Sequence, residues 1–86
     1  MIYKKIDNEL HVAYTIILSN YESKLFDEFD KQKSLSLAQI CTLLRLDLFT
    51  AKRVVRNLAE KINFKWQITV RKANDNYIYY RLKEKD

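Results

Sequence analysis

Glycine and proline are both absent from this 86-residue chain. Average usage of about 7% Gly and 5% Pro would supply several of each. Their absence excludes collagen-like and Gly/Pro-rich disordered chains, and it removes the Gly-rich loops that cradle phosphates in nucleotide-binding folds. Cysteine occurs once, as Cys41, which excludes an intramolecular disulfide framework and a Cys-rich zinc site. Long apolar runs are missing as well. The longest mainly apolar stretch, Ala13 to Leu18, contains Thr15 and falls far short of the ~20 residues of a membrane span. No signal-peptide pattern is visible, so a reducing, cytoplasmic setting without a membrane partner is expected. The one histidine, His11, has no Cys partner and no second His at i+4, so no metal is expected there. Cys41 falls in an apolar stripe and is expected to be a buried structural thiol. Asp27, Glu28 and Asp30 face solvent rather than a sheltered cleft, and no nucleophile–base arrangement stands out. Neither catalysis nor a cofactor is expected.

What is present is an ordinary globular apolar share, 48%, and an uneven charge. A single domain over residues 1–86 is expected, burying only about 60–65% of the unfolded surface. Residues 1–30 carry three lysines against six acids, a net of −3, whereas residues 31–86 carry 13 basic and five acidic side chains, a net of +8. Arg45 to Lys72 alone holds eight basic groups against Asp47 and Glu60. Such asymmetry suits a polyanion partner, because basic side chains release counterions from phosphate backbones. A solvated charged face is the rival explanation.

Apolar residues recur at Ile6, Leu10, Ala13, Ile17, Tyr21, Leu25 and Phe29, at steps of four, three and four. This spacing predicts a helix, capped by Asp7 or Asn8. Val12, Tyr14, Ile16, Leu18 and Phe26 lie on its other faces, so it either packs against two surfaces or breaks near Ser19-Asn20. A strand over Tyr14 to Leu18, or a hairpin turning at Asp7-Asn8, is the minority reading. Leu35 suits a very short strand, after which Ser34 or Ser36 caps a helix over about Leu37 to Leu44. Arg45-Leu46-Asp47 forms a tight link, and Asp47 caps the next helix, about Leu48 to Ile62. The period then changes. Phe64, Trp66, Ile68 and Val70 alternate with polar residues as a half-buried strand. Ala73 to Asn76 makes a turn without glycine. Tyr77 to Leu82 returns as a second strand, with Ile78, Tyr80 and Leu82 on one face.

Helix, short strand, helix, tight link, helix and hairpin is the order of a winged helix-turn-helix. The chain resembles that motif over Leu35 to Ile62, with apolar residues at Leu37, Ile40, Leu44, Leu46, Ala51, Val55 and Leu58 and a small residue at Cys41. Thr50 stands where Ser or Thr commonly opens the recognition helix, and Arg53 where Arg or Lys is common. With Phe64 to Leu82 as the wing, the resemblance covers about two-thirds of the chain. It is similar to bacterial transcription regulators of the MarR, DeoR and Mga-like kinds; Leu58 to Lys61, a Leu-Ala-Glu-Lys ending, is like the latter two. The implied fold is α+β: a three-helix core with a C-terminal β-hairpin wing, the helix-turn-helix at about 37–62 and the wing at about 64–82. One departure is Arg45, where the link often has Gly. A left-handed backbone there costs about 1 kcal/mol or more, so a more helical turn is expected.

Helix geometry can be applied without the resemblance. At about 100° per residue from Phe49, Ala51, Val55, Leu58 and Ile62 fall between about 180° and 240°, while Lys52, Arg53, Arg56 and Glu60 fall within about 60° of zero. One face anchors on a core and the other is free for a major groove, with Thr50 and Asn57 flanking it. Arg pairs with guanine, Asn reads adenine, and Thr meets a thymine methyl. Phe49 either touches a base edge or folds back under the wing, and packing is favoured. In the hairpin, Arg71, Lys72 and Asn74 to Asn76 mark the wing tip, and Lys65, Arg71 and Arg81 continue the basic surface, where Lys and Arg position the protein on phosphates without reading sequence. Trp66 and Tyr80 belong to the core. Tyr77 and Tyr79 support the outer face through cross-strand pairs, with single-stranded or RNA stacking as a rival.

The expected function is therefore sequence-specific binding of double-stranded DNA in transcriptional regulation, with a mobile element or phage as the expected setting. A homodimer through the N-terminal helix is the expected further partner. No small-molecule ligand is evident, since 86 residues hold no separate sensing domain. The alternative is a winged-helix protein–protein interaction module of a replication or mobile-element assembly.

Overall fold

The computed structural model describes residues 18–74 and 77–85. Within them the order is α1 (Asn20–Lys31), β1 (Ser34–Ser36), α2 (Leu37–Leu44), α3 (Leu48–Ile62), β2 (Trp66–Asn74) and β3 (Tyr77–Glu84). The result is α+β: three helices on one antiparallel sheet of strand order β1-β3-β2. No helix among the described residues is long and apolar enough to cross a membrane.

Short polar side chains decide where two of the helices begin. At Ser19 the backbone is extended, Oγ accepts from the Glu22 amide at 3.1 Å, and the Glu22 carboxylate accepts from the Ser19 amide at 2.7 Å. Such a reciprocal box satisfies two amides that the first turn leaves open and contributes about 1 kcal/mol. The helix therefore starts at Asn20 and does not run back through Ser19, the place where a break was expected. The caps at Asp7 or Asn8, the apolar positions before Leu18, the alternative strand or hairpin there, and His11 lie outside the described residues. The same device opens α2, with Ser36 Oγ accepting from Gln39 and the Gln39 side chain accepting from the Ser36 amide.

The link between α2 and α3 departs from expectation. Arg45 has φ 56° and ψ 48°, a left-handed conformation, rather than a more helical one. Its amide and that of Leu46 both donate to the Cys41 carbonyl, which closes the end of α2. A residue with a Cβ gives up roughly 1–2 kcal/mol there. The reversal is tight because Leu46 is half-buried against the core while Asp47, two residues past Arg45, already holds the N-cap position of α3. Asp47 offers its carbonyl to the Ala51 amide at 2.9 Å, but its side chain makes no capping hydrogen bond.

The core gathers Leu18, Leu25, Phe26 and Phe29 with Leu35, Leu37, Ile40 and Leu44, the inner ridge of α3, and Trp66, Tyr80 and Leu82. The ridge of α3 is Ala51, Val54, Val55, Leu58 and Ile62. Phe26, assigned to a secondary face of the first helix by periodicity, meets Trp66 edge-on at 5.4 Å and is fully buried. Each such side chain contributes about 1.5–3 kcal/mol by leaving water. Glu22 is buried too, and Lys61 reaches it at 2.6 Å, clamping the start of α1 to the end of α3. Burial opposes its charge, but Lys61 and the Ser19 amide more than offset that and hold the Glu22 carboxyl below its usual range.

The sheet corrects several expected boundaries. Phe64 precedes β2 in a turn and is partly exposed, edge-on to Trp66 at 6.0 Å. Along the inward side of β2, burial falls from Trp66 through half-buried Ile68 to Val70, which is 59% exposed. β2 is an edge strand, so its distal end runs out past the residues that shield Trp66. Strand pairing continues to Asn74, with an irregularity between Lys72 and Asn74, and β3 continues to Glu84. Ile78, Tyr80 and Leu82 keep their expected inward side.

Candidate nucleic-acid interface

α3 is anchored along one side and bare along the other. Lys52, Arg53, Arg56 and Asn57 are exposed, and none of the three cations has an ion-pair partner among the described residues. Phe49, Lys52, Arg53 and Arg56 line one shallow depression. The expectation that Phe49 packs under the wing is wrong: its ring is 82% exposed. Position explains it, since Phe49 lies opposite the ridge of Ala51 and Val55 and so points away from the core. Leu48, also exposed, extends this apolar start of the helix. Thr50 is half-buried, and its hydroxyl beside Asp47 holds that carboxyl below the usual range. It is thus a helix-start residue in addition to flanking the basic stripe.

The remaining candidates divide. Lys65 is not part of the α3 surface. It is half-buried, pairs with Glu84 at 3.2 Å and lies over the Trp66 ring at 5.3 Å. Arg71 and Lys72 are exposed on distal β2. Asn74 is paired with Tyr77 in the sheet, while its side chain lies outside the described set, as do Asp75 and Asn76. Cys41 is half-buried rather than fully buried, and burial, followed by the Asp47 charge, pushes its thiol up. Among the described residues no group of three or more His, Cys, Asp or Glu side chains is placed to hold a metal ion.

Tyr77 and Tyr79 lie on the outer face and pair across the strands, as expected. Tyr79 faces Arg71 on one side and Ser36 on the other, and Tyr77 faces Asn74, so neither has an aromatic partner across the strands. Their rings instead stack along β3, 6.3 Å apart at 16°. Residues i and i+2 of one strand share a face, which permits this. Sequence reasoning missed the Glu22–Lys61 clamp. Its legible half was the Ser-x-x-Glu spacing of Ser19 and Glu22; the partner 39 residues away left no local trace.

No family model matches the chain, and no curated protein or solved structure is significantly similar to it.

Proposed function

We propose that this chain is a winged helix-turn-helix protein that binds double-stranded DNA and regulates transcription. α3 enters the major groove, and the β2–β3 hairpin lies against the phosphate backbone. The observation that carries this reading is the bare stripe of Lys52, Arg53 and Arg56 on a helix whose opposite ridge is locked in the core. A major groove about 12 Å wide admits such a helix. The order of elements and the β1-β3-β2 sheet are compatible with a winged helix and support this reading. Arg53 and Arg56 are suited to guanine, Asn57 to adenine, and the exposed Phe49 ring to a thymine methyl. Arg71 and Lys72 would position the hairpin on phosphates. A second copy, joined through the N-terminal segment, would present two recognition helices to paired half-sites.

The exposed Leu48–Phe49 pair favours a second reading, a protein-interaction module whose acidic partner has an apolar anchor. A salt series of gel shifts with mixed-sequence duplex separates the two. Duplex binding predicts a steep linear fall of log affinity with log salt, flattened by about 2 in slope when Arg53 and Arg56 are both changed to Ala. Absent binding at low salt, or an unchanged slope in the double variant, would favour the protein module.

A further inference from the structure

The outer face of the sheet carries a second basic surface, of which the duplex reading uses Arg71 alone. Two rows cross its three strands: Ser34, Arg81 and Thr69, and beside it Ser36, Tyr79 and Arg71. Lys33, Ser34, Thr69, Arg71, Tyr79 and Arg81 enclose a depression of about 640 Å³, within the ~300–1,000 Å³ that ligand sites occupy. Its lining holds three cations and no carboxylate. Asp30 reaches Lys33 at 4.0 Å, while Arg71 and Arg81 have no ion-pair partner among the described residues. As diagonal neighbours on one face, these two arginines stand roughly 7–8 Å apart along the backbone and somewhat less at Cβ, and like charges so placed repel. Along the same strand Tyr77, 51% exposed, and Tyr79, 36% exposed, form their stack. Packing does not explain them, because the core lies on the other side of the sheet.

We propose that this face binds single-stranded nucleic acid, with bases stacking on Tyr79 and Tyr77 and phosphates on Arg71, Arg81 and Lys33. An anion relieves the arginine repulsion, and an unpaired base extends the tyrosine stack with a further π-face. A duplex offers the phosphates but keeps its bases inside, which would leave the rings unused. This surface lies on the sheet, away from the inward ridge and bare stripe of α3, and does not require that α3 binds duplex.

The test is fluorescence anisotropy at one fixed salt concentration with three labelled twelve-nucleotide probes: oligouridylate, oligothymidylate and an abasic strand of equal charge. The full chain should bind a strand with bases more tightly than the abasic one, and the uridine and thymidine arms show whether RNA or DNA is preferred. Stacking is worth about 5- to 160-fold per base. The Tyr77→Ala/Tyr79→Ala variant should lose at least that factor and bind the base-bearing strand no better than the abasic strand, while Tyr79→Phe retains affinity. Arg71→Ala/Arg81→Ala should weaken all three probes. Arg53→Ala/Arg56→Ala, which tests duplex binding, should leave single-strand affinity within about 2-fold. Equal affinity for abasic and base-bearing strands, or unchanged binding by the tyrosine variant with an intact circular-dichroism melt, would overturn the proposal.

Discussion

Lys61 and Lys65 sit within 13 residues of Lys52, Arg53 and Arg56, yet the two groups have opposite fates. Lys61 is held by buried Glu22, and Lys65 by Glu84 over an indole ring. The other three face water without a carboxylate among the described residues. For the cations on α3 the division follows from one helical period, while Lys65 lies in the turn beyond it. The turn that carries Ile62 inward brings Lys61 to the start of α1, while the turn that carries Ala51 and Val55 inward aims Phe49 and its neighbouring cations outward. Charge in the second half of this segment is consumed by the fold, and charge in the first half is left over. A net charge summed over Arg45 to Lys72 hides that division.

Removing the contact on which both groups depend has the largest expected effect. Phe26→Ala deletes the edge-on partner of Trp66 from a fully buried site and is expected to cost about 3–5 kcal/mol, enough to unfold much of a small domain. Urea denaturation followed by tryptophan fluorescence reads it directly. Next comes the clamp. Glu22→Ala loses the box at Ser19 and the Lys61 contact together, and a destabilisation of about 1–3 kcal/mol is expected. By contrast, Lys52→Ala, Arg53→Ala and Arg56→Ala should each stay within about 0.5 kcal/mol of the parent. A comparable loss from both sets of variants would erase the distinction between used and surplus charge.

The same clamp predicts a pH dependence. Glu22 is held below its usual range in the folded chain, so the unfolded chain binds its proton first as pH falls. The stabilisation is fully present above the ordinary glutamate value of about 4.3. It is lost as pH drops through the lowered folded value. Thermal melts between neutral and pH 3 should show a fall in this window that is shallower in Glu22→Gln; identical profiles would remove Glu22 as its source. The smallest effect is at the link. Arg45→Gly relieves about 1–2 kcal/mol of left-handed strain but adds about 0.4–1 kcal/mol of unfolded-state entropy, leaving a gain of about 0.5–1 kcal/mol. A loss on this substitution would mean that the Arg45 side chain stabilises the turn.

Local periodicity made much of this legible. The bounds of α2 and α3 and the inward side of β3 follow from apolar spacing and from Ser36 and Asp47, because these depend on neighbours a few residues away. Arg45 misled because the sequence gives the intrinsic cost of a left-handed residue but not the tertiary demand that outweighs it. Val70 misled because alternation assigns a side of the strand without saying how far the helices extend over it. Alternation gave the outer side of Tyr77 and Tyr79 but not their neighbours, because register, which places Arg71, Ser36 and Asn74 opposite them, is not a local property. In the candidate site, the stripe of α3 was readable from one helical wheel. Phe49 misled because the usual preference of a large ring for burial was set above the wheel, which places it opposite the ridge of Ala51 and Val55.

The most direct measurement is a titration of the isotopically labelled chain with mixed-sequence duplex at low salt, following backbone amides by NMR. The account predicts that the largest perturbations fall on residues 48–57, with smaller ones at Arg71 and Lys72, and that added salt reverses them together. Perturbations confined to α1 and α2, or none at the lowest salt, would contradict it.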